Sequence, residues 1–289
     1  MSSAFISIIC GLAGMFGWGI YDFLGGVYSK QIGPFKSFFW SQLAGLFTIF
    51  LLVSVLALNL DVPVLIIVLL PIAAIVYTAG YLFFFKGFEI GNVSIVAAVM
   101  NLWAVFTMLF AFVFMGQRLS QQQTLGVFMI IAGVVIASLN WQDIQNHSFK
   151  LSRGVKETIL GAFFFGVFWN ISEVISEEIG WLATTLFVKI GIIVFLLLFS
   201  LLVKSGLNPS QISTKTKIMV LLMGSIEAAA VAIVNYGLTI GDAILITPIA
   251  SALSIVTITL AILFLKDRIT KLQGFGMIAA VAGIIVTGL

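Results

Sequence analysis

Ten long apolar segments, separated by short breaks that contain glycine, proline, asparagine or charge, make up nearly the whole chain. Each segment has about the 20 residues that a helix needs to cross a bilayer. None alternates between apolar and polar positions as a barrel strand does. The segments lie near residues 4–27, 36–58, 63–85, 92–115, 121–140, 155–177, 182–203, 217–238, 242–265 and 270–289. The pattern predicts an all-α integral membrane protein with ten transmembrane helices.

The composition supports a membrane protein and excludes several other classes. Hydrophobic residues make up 61% of the 289 positions and charged residues only 9%, whereas a soluble domain carries roughly 25% charged residues. The 14 basic residues are too scattered for a nucleic-acid surface. With one cysteine, Cys10, and one histidine, His147, neither a disulfide framework nor a metal cluster is expected. We expect no cofactor, and the expected partners are a small-molecule substrate and membrane lipid. No oligomeric state follows from the sequence.

An internal repeat relates the two halves of the chain. Residues 87–139 align with residues 237–289 at a constant offset of 150, without a gap. The alignment matches two arginine turns and two pairs of glycines, which apolar composition alone does not bring into register. The polar stretch near the midpoint is a linker. The sequence therefore predicts a first repeat at 1–140, a linker at 141–154 and a second repeat at 155–289.

An odd number of helices in each repeat determines how the two repeats are related. A unit of five helices begins and ends on opposite sides of the bilayer, so its copy must start from the other side. The repeats are predicted to be inverted, with a pseudo-two-fold axis in the membrane plane, as in many secondary transporters.

Lysine and arginine are distributed unequally between the two sets of loops. Loops that follow odd-numbered helices hold twelve of these residues, from Lys30 to Lys271, and the others hold only Arg118. Because basic residues mark cytoplasmic loops, we predict a multi-pass protein of the cell membrane with both termini outside.

Several motifs resemble the EamA-type ten-helix members of the drug/metabolite transporter superfamily. They are the Trp18-Gly19 pair with residues 22–26 after it, the turns at 116–120 and 266–270, and the glycine-containing helices that follow those turns. Gln117 and Asp267 stand where the family has glutamate in these turns. The resemblance implies transport of a small organic metabolite by alternating access.

Ionisable residues inside apolar segments are the candidates for function, because a charge in the bilayer core is costly unless it faces a cavity or a partner. Asp22 and Glu173 occupy equivalent places in the first and sixth segments, one turn after Trp18 and Trp169. We interpret the two acids as a proton- or cation-binding pair at the repeat interface. The alternative is solvation at the membrane surface.

Further candidates lie in the third, seventh and eighth segments. Lys189 is expected to neutralise Glu173 or Glu227, to bind a substrate carboxylate, or to extend to the nearer interface. Glu227 is expected to be the most deeply buried acid. The remaining candidates for substrate or proton binding here are Asn235 on the same face as Glu227, and Tyr77 and Tyr81 at the matching place in the third segment.

Two polar repeat mates, Asn101 and Ser251, lie in the fourth and ninth segments. Pro248 precedes Ser251 by one turn, and a proline in a membrane helix frees backbone carbonyls for a ligand. The alternative reading is hydrogen bonding between helices.

Taken together, the residues favour a secondary transporter for an amino acid or similar polar solute, with proton coupling as one option. An exporter of organic cations with the same fold is an alternative, as is a passive pore or a structural membrane protein. A membrane-embedded enzyme is disfavoured because the sequence offers no nucleophile–base arrangement.

Overall fold

The computed structural model describes residues 3–55, 62–114, 120–138, 151–203, 207–208, 212–240, 249–250 and 252–287. Within them the chain forms ten membrane helices in the predicted order, and residues 141–150 of the predicted linker lie outside the described part. The helices are α1 (Ser3–Ile32), α2 (Pro34–Val53), α3 (Val64–Ile90), α4 (Val93–Met100 and Leu102–Phe114), α5 (Gln121–Ser138), α6 (Val155–Ile179), α7 (Trp181–Val203), α8 (Thr214–Ile240), α9 (Leu253–Leu260, continued by the π-helical turn Ala261–Leu265) and α10 (Lys271–Thr287).

The lengths and surfaces of these helices fit a bilayer. Seven of them, α1 to α4 and α6 to α8, contain apolar stretches of 20 to 27 residues, and α5, α9 and α10 contain shorter ones in the described part of the chain. Large apolar side chains such as Phe47, Phe114 and Leu202 are exposed on the outer surface. A soluble protein would not expose so many, and helices that face lipid do.

Two helices extend beyond their apolar segments. The segments near 4–27 and 63–85 predict breaks at Ser29–Pro34 and Lys86–Gly91, but α1 continues to Ile32 and α3 to Ile90. Hydropathy marks where the bilayer core ends, whereas the helix continues through the interfacial region. In α3 an ion pair between Lys86 and Glu89, three residues apart, supports the extra turn.

Contacts between the repeats occur in equivalent pairs. Thr257 of α9 donates from Oγ1 to the Gly19 carbonyl of α1 at 3.0 Å, and Asn170 of α6 donates from Nδ2 to the Thr107 carbonyl of α4 at 3.2 Å. Thr107 and Thr257 are repeat mates, and so are Gly19 and Asn170. Such reciprocal contacts are the signature of a two-fold relation. With five crossings in each repeat, the axis lies in the membrane plane, and the repeats are inverted.

The pair α5 and α10 shows the same relation through its glycines. A Cβ atom on Gly133 of α5 would lie 2.6 Å from the Gly276 carbonyl oxygen, and one on Gly283 of α10 would lie 2.7 Å from the Gly126 carbonyl oxygen. Gly126 and Gly276 are mates, as are Gly133 and Gly283. Absence of side chains at these positions lets the two backbones touch.

Candidate functional site

A buried ion pair occupies the interior of the helix bundle. Lys189 of α7 donates from Nζ to Oε2 of Glu227 in α8 at 2.7 Å. The two residues are only 3% and 1% exposed. Tyr77 of α3 donates from its hydroxyl to the other carboxylate oxygen, Oε1, at 2.9 Å. Both oxygens of Glu227 are therefore held by donors, which offsets part of the cost of taking the charge out of water.

The network continues from Lys189 towards α1 and α2. Lys189 also donates from Nζ to Oε1 of Gln42 at 3.0 Å, and Nε2 of Gln42 donates to the Tyr21 hydroxyl at 3.2 Å. The Tyr21 hydroxyl lies 3.3 Å from Oγ of Ser41, and Ser41 itself donates to the Phe38 carbonyl at 2.8 Å. A chain of hydrogen bonds thus joins α3, α8, α7, α2 and α1.

Repeat mates contact each other directly in this network. Tyr77 aligns with Glu227 at the offset of 150, and these two side chains bond to each other. Gln42 aligns with Lys189 at an offset of 147, at which Ile32-Gly33 also meets Ile179-Gly180, and these two side chains bond as well. Residues that meet their own mates must lie on the two-fold axis. Since that axis runs within the membrane plane, residues on it are expected near the middle of their helices, and Tyr77 and Glu227 are indeed the central residues of α3 and α8. The network therefore lies near the bilayer midplane, where inverted-repeat transporters place their sites.

Glycine at position 45 makes room for the ion pair. A Cβ atom on Gly45 of α2 would lie 3.2 Å from Nζ of Lys189 and 3.4 Å from Oε2 of Glu227. A larger side chain there would press on both charged groups. The nearby Gly224 of α8 is tighter still, because a Cβ atom would lie 1.8 Å from the Ser41 carbonyl oxygen.

Asp22 differs from the other buried acid. It lies in the second half of α1 and is 5% exposed, yet no ion pair or hydrogen bond joins its carboxylate to another residue in the described part of the chain. Lys189, the buried cation of the network, binds Glu227 and Gln42 instead. Asp22 is thus a buried acid whose charge has no counter-ion among the described residues.

Glu173 lies in a different environment from its mate. It is on an exposed face of α6, whereas Asp22 is buried. Their tryptophan neighbours do meet: the rings of Trp18 and Trp169 pack edge to face with centroids 6.5 Å apart, and Trp103 of α4 lies 5.9 Å from Trp169. The structure therefore brings the two tryptophan mates together but does not bury both acids.

Tyr77 and Tyr81 belong to an aromatic cluster beside the ion pair. Their ring centroids are 4.8 Å apart, and Tyr81 also stacks on Phe38 and packs edge to face on Tyr21. Phe165 of α6 closes the other side, 4.7 Å from Tyr81. This cluster surrounds the polar network with low-polarity groups, which strengthens the electrostatic interactions inside it.

Asn101, one of the two polar repeat mates predicted in α4 and α9, lies at a helix break. α4 is interrupted at Asn101, which is 2% exposed and whose Nδ2 has no hydrogen-bond partner within the described residues. The described part of α9 begins at Leu253, directly after a turn at Ala252. Ser251 itself, and the side chain of Asn235, lie outside the described residues.

Sequence reasoning did not identify Tyr21 and Ser41 as members of the network. The sequence did contain a signal for these two residues, because Ser41 and Gln42 form a polar pair in a mostly apolar segment and Tyr21 is next to Asp22. Gln42 stands out in the sequence only because it aligns with Lys189. Among the described residues, no group of three His, Cys, Asp or Glu side chains is placed to hold a metal ion.

Ten helices in two inverted five-helix repeats, with ionisable side chains meeting at the centre, define an inverted-repeat membrane transporter. The comparison with protein families agrees with this class. The EamA-like transporter family matches residues 5–139 and 153–289, one match in each repeat. The chain therefore belongs to the EamA-like transporter family, whose members are membrane transporters of the drug/metabolite type.

Comparison with solved structures supports the fold. One crystal structure aligns with a TM-score of 0.68, covers 97% of this chain and 95% of its own, and is 16% identical in sequence. A search of curated protein sequences found no significant match.

Proposed function

We propose that this protein is a proton-coupled secondary transporter of a small polar metabolite, such as an amino acid, in the plasma or inner membrane. The two repeats alternate the exposure of a site near the bilayer midplane. Asp22 binds and releases the coupling proton, and the network of Lys189, Glu227 and Tyr77 provides the polar surface for the solute.

The observation that carries this proposal is the unequal pairing of the two buried acids. The Glu227 carboxylate is held by a lysine and a tyrosine, whereas Asp22 has no counter-ion among the described residues. A buried carboxylate without a counter-ion binds a proton or another cation more readily than one in a salt bridge. We therefore assign the coupling proton to Asp22 and not to Glu227.

The test begins with the solute. A thermal-shift screen of the purified protein against amino acids, sugars, nucleosides and organic cations identifies a ligand, since a ligand that binds only the folded state raises the unfolding temperature. Transport of that ligand is then measured in proteoliposomes, once with an imposed pH gradient and once as counterflow without one.

Asp22→Asn should abolish accumulation driven by the pH gradient and retain counterflow, because exchange of solute for solute needs no net proton movement. Glu89→Gln is the matched control, since Glu89 is an acid at the end of α3 outside the network. Gradient-driven accumulation by Asp22→Asn at the wild-type rate would refute the coupling role of Asp22.

Export of organic cations is the second candidate function, and one observation favours it. The unpaired Asp22 lies one turn from Trp18, which packs on Trp169, which in turn packs on Trp103. A carboxylate beside aromatic faces is the arrangement that binds an ammonium group. In that case a quaternary ammonium ligand raises the unfolding temperature of the wild-type protein but not of Asp22→Asn, while amino acids have no effect on either.

A further inference from the structure

A carboxylate of the second repeat binds the start of a helix in the first repeat. Oδ2 of Asp267, in the turn after α9, accepts a hydrogen bond from the backbone N–H of Ser94 at 3.0 Å and another from Oγ of Ser94 at 3.1 Å. Ser94 lies in the first turn of α4 and is fully buried. A negative charge at a helix N-terminus is favourable because it meets unpaired N–H groups and the positive end of the helix dipole.

The turn that presents Asp267 has an unusual backbone. α9 ends in the π-helical turn Ala261–Leu265, and Lys266 follows with φ of 54°, the only positive φ at a non-glycine residue in the described part of the chain. The Asp267 N–H then reaches back to the Ala261 carbonyl at 3.4 Å. A π-turn and a left-handed lysine each cost conformational energy and tend to occur at functional positions.

Other backbone contacts occur on the same side of the protein as the Asp267–Ser94 bond. The loops after α3, α5 and α9 share one side of the membrane, because each follows an odd-numbered helix. On that side a Cβ atom on Gly91 would lie 2.5 Å from the Arg153 carbonyl oxygen, and one on Gly154 would lie 2.4 Å from the Gly87 carbonyl oxygen. The backbones of the α3–α4 and α5–α6 connections are therefore in direct contact there.

We infer that Asp267 is a positioning residue that acts as a latch: its bond to Ser94 holds this side of the protein closed, and release of the bond lets α4 and α9 separate. The inference rests on the alternating access of the proposed function. The bond joins the turn after α9, in the second repeat, to the first turn of α4, in the first repeat, so it is placed to restrain the relative movement of these two helices.

The latch is charged in one repeat only. The mate of Asp267 is Gln117, a neutral residue that lies outside the described residues. A charge-assisted hydrogen bond is roughly twice as strong as a neutral one. Asp267→Gln gives the second repeat the same side chain that Gln117 provides in the first. Because this removes the charge from the hydrogen bond, the variant should raise the fraction of molecules that are open on this side.

Accessibility of a buried position in α4 tests the latch. Ala97→Cys, at a position that is 3% exposed, is made in a Cys10→Ala background so that it is the sole thiol. A membrane-impermeant maleimide is added from the side of the α3–α4 loop. Asp267→Asn and Asp267→Gln should each raise the labelling rate about tenfold, and Ser94→Ala, which removes one of the two hydrogen bonds, should raise it less.

Asn92→Ala is the matched control. Asn92 caps the same helix by accepting from the Ile95 N–H at 3.1 Å, but it makes that bond within its own repeat. If α4 only frays at its end, Asn92→Ala accelerates labelling as much as Asp267→Asn, and the latch is refuted. Wild-type labelling rates in Asp267→Asn and Ser94→Ala refute it as well. Labelling needs neither a solute nor a pH gradient. The experiment therefore tests the latch separately from proton coupling, and either proposal can be refuted without the other.

Discussion

The Lys189–Glu227 pair shows how single residues make a charged interior tolerable. The lysine has two acceptors and the glutamate has two donors, all from neighbouring helices. Removal of either partner would leave the other as an uncompensated charge, which is far more costly than loss of the whole pair.

We expect Lys189→Met to lower the free energy of unfolding by about 3–5 kcal/mol, because it leaves the Glu227 charge unpaired. The double variant Lys189→Met/Glu227→Leu should recover most of that loss. Thermal or denaturant unfolding in detergent measures both. Lys86→Met is the control: its partner Glu89 is on the surface, so its loss should cost about 1 kcal/mol or less. A double variant no more stable than the single one would contradict this account.

At the same scale, Tyr77→Phe removes one hydrogen bond from the Glu227 carboxylate and keeps the ring in the aromatic cluster. A bond to a charged group contributes about 1.5–3 kcal/mol, so a loss of that size is expected in detergent unfolding. Tyr28→Phe is the control: Tyr28 is a buried tyrosine of α1 that makes no hydrogen bond to Glu227 within the described residues, so its loss should change stability less. Equal losses in the two variants would argue against a special role for the Tyr77 hydroxyl.

Part of the site could be predicted from the sequence for a physical reason. A charge within an apolar segment stands out because it is costly in the bilayer, and Asp22, Lys189 and Glu227 were found in this way. Lys189 was expected to pair with Glu173 or Glu227, but the choice between them could not be predicted, because it depends on the rotation of each helix about its own axis. The apolar segments have apolar residues on all sides and therefore give no signal for that rotation. For the same reason the exposure of Glu173 did not follow from its alignment with Asp22.

Among the elements, α5 and α10 pack most closely, and their glycines allow a matched test. A Cβ atom on Gly276 of α10 would lie 2.5 Å from the Ala137 backbone nitrogen, whereas one on Gly274 would have its nearest neighbour at 3.8 Å. Gly276→Ala should therefore force the helices apart and cost about 1–3 kcal/mol. Gly274→Ala should be neutral or slightly stabilising, because alanine favours a helix more than glycine does. Unfolding in detergent distinguishes them, and equal stability of the two variants would contradict the packing.

The order and number of the helices could be predicted from the sequence. The thickness of the bilayer determines how long each apolar segment must be, and the internal repeat indicates five helices in each half. The interruption of α4 at Asn101 was not. The sequence around it, Val-Met-Asn-Leu-Trp, contains neither glycine nor proline. Hydropathy gives no signal for this break either, because the segment is apolar on both sides of Asn101.

For the whole molecule, the unequal distribution of lysine and arginine predicts the orientation in the membrane. With the basic loops in the cytoplasm, both termini lie outside. A reporter enzyme that is active only in the cytoplasm, fused after Leu289, should be inactive, and the same reporter inserted in the linker near residue 146 should be active. The reverse result in a fusion that still transports would show the opposite orientation. It would also move the Asp267 latch to the outer side.

The contacts between repeat mates at the two-fold axis have a consequence for how such a chain is assembled. In a complex of two identical halves, every position on the axis would hold the same side chain twice. Two copies of the first half would place Gln42 against Gln42 and Tyr77 against Tyr77, and two copies of the second would place Lys189 against Lys189 and Glu227 against Glu227. Like charges in contact within the bilayer would repel each other. Complementary pairs on the axis are available only to halves that have diverged in sequence, and joining them in one polypeptide guarantees that each half meets the other and not a copy of itself.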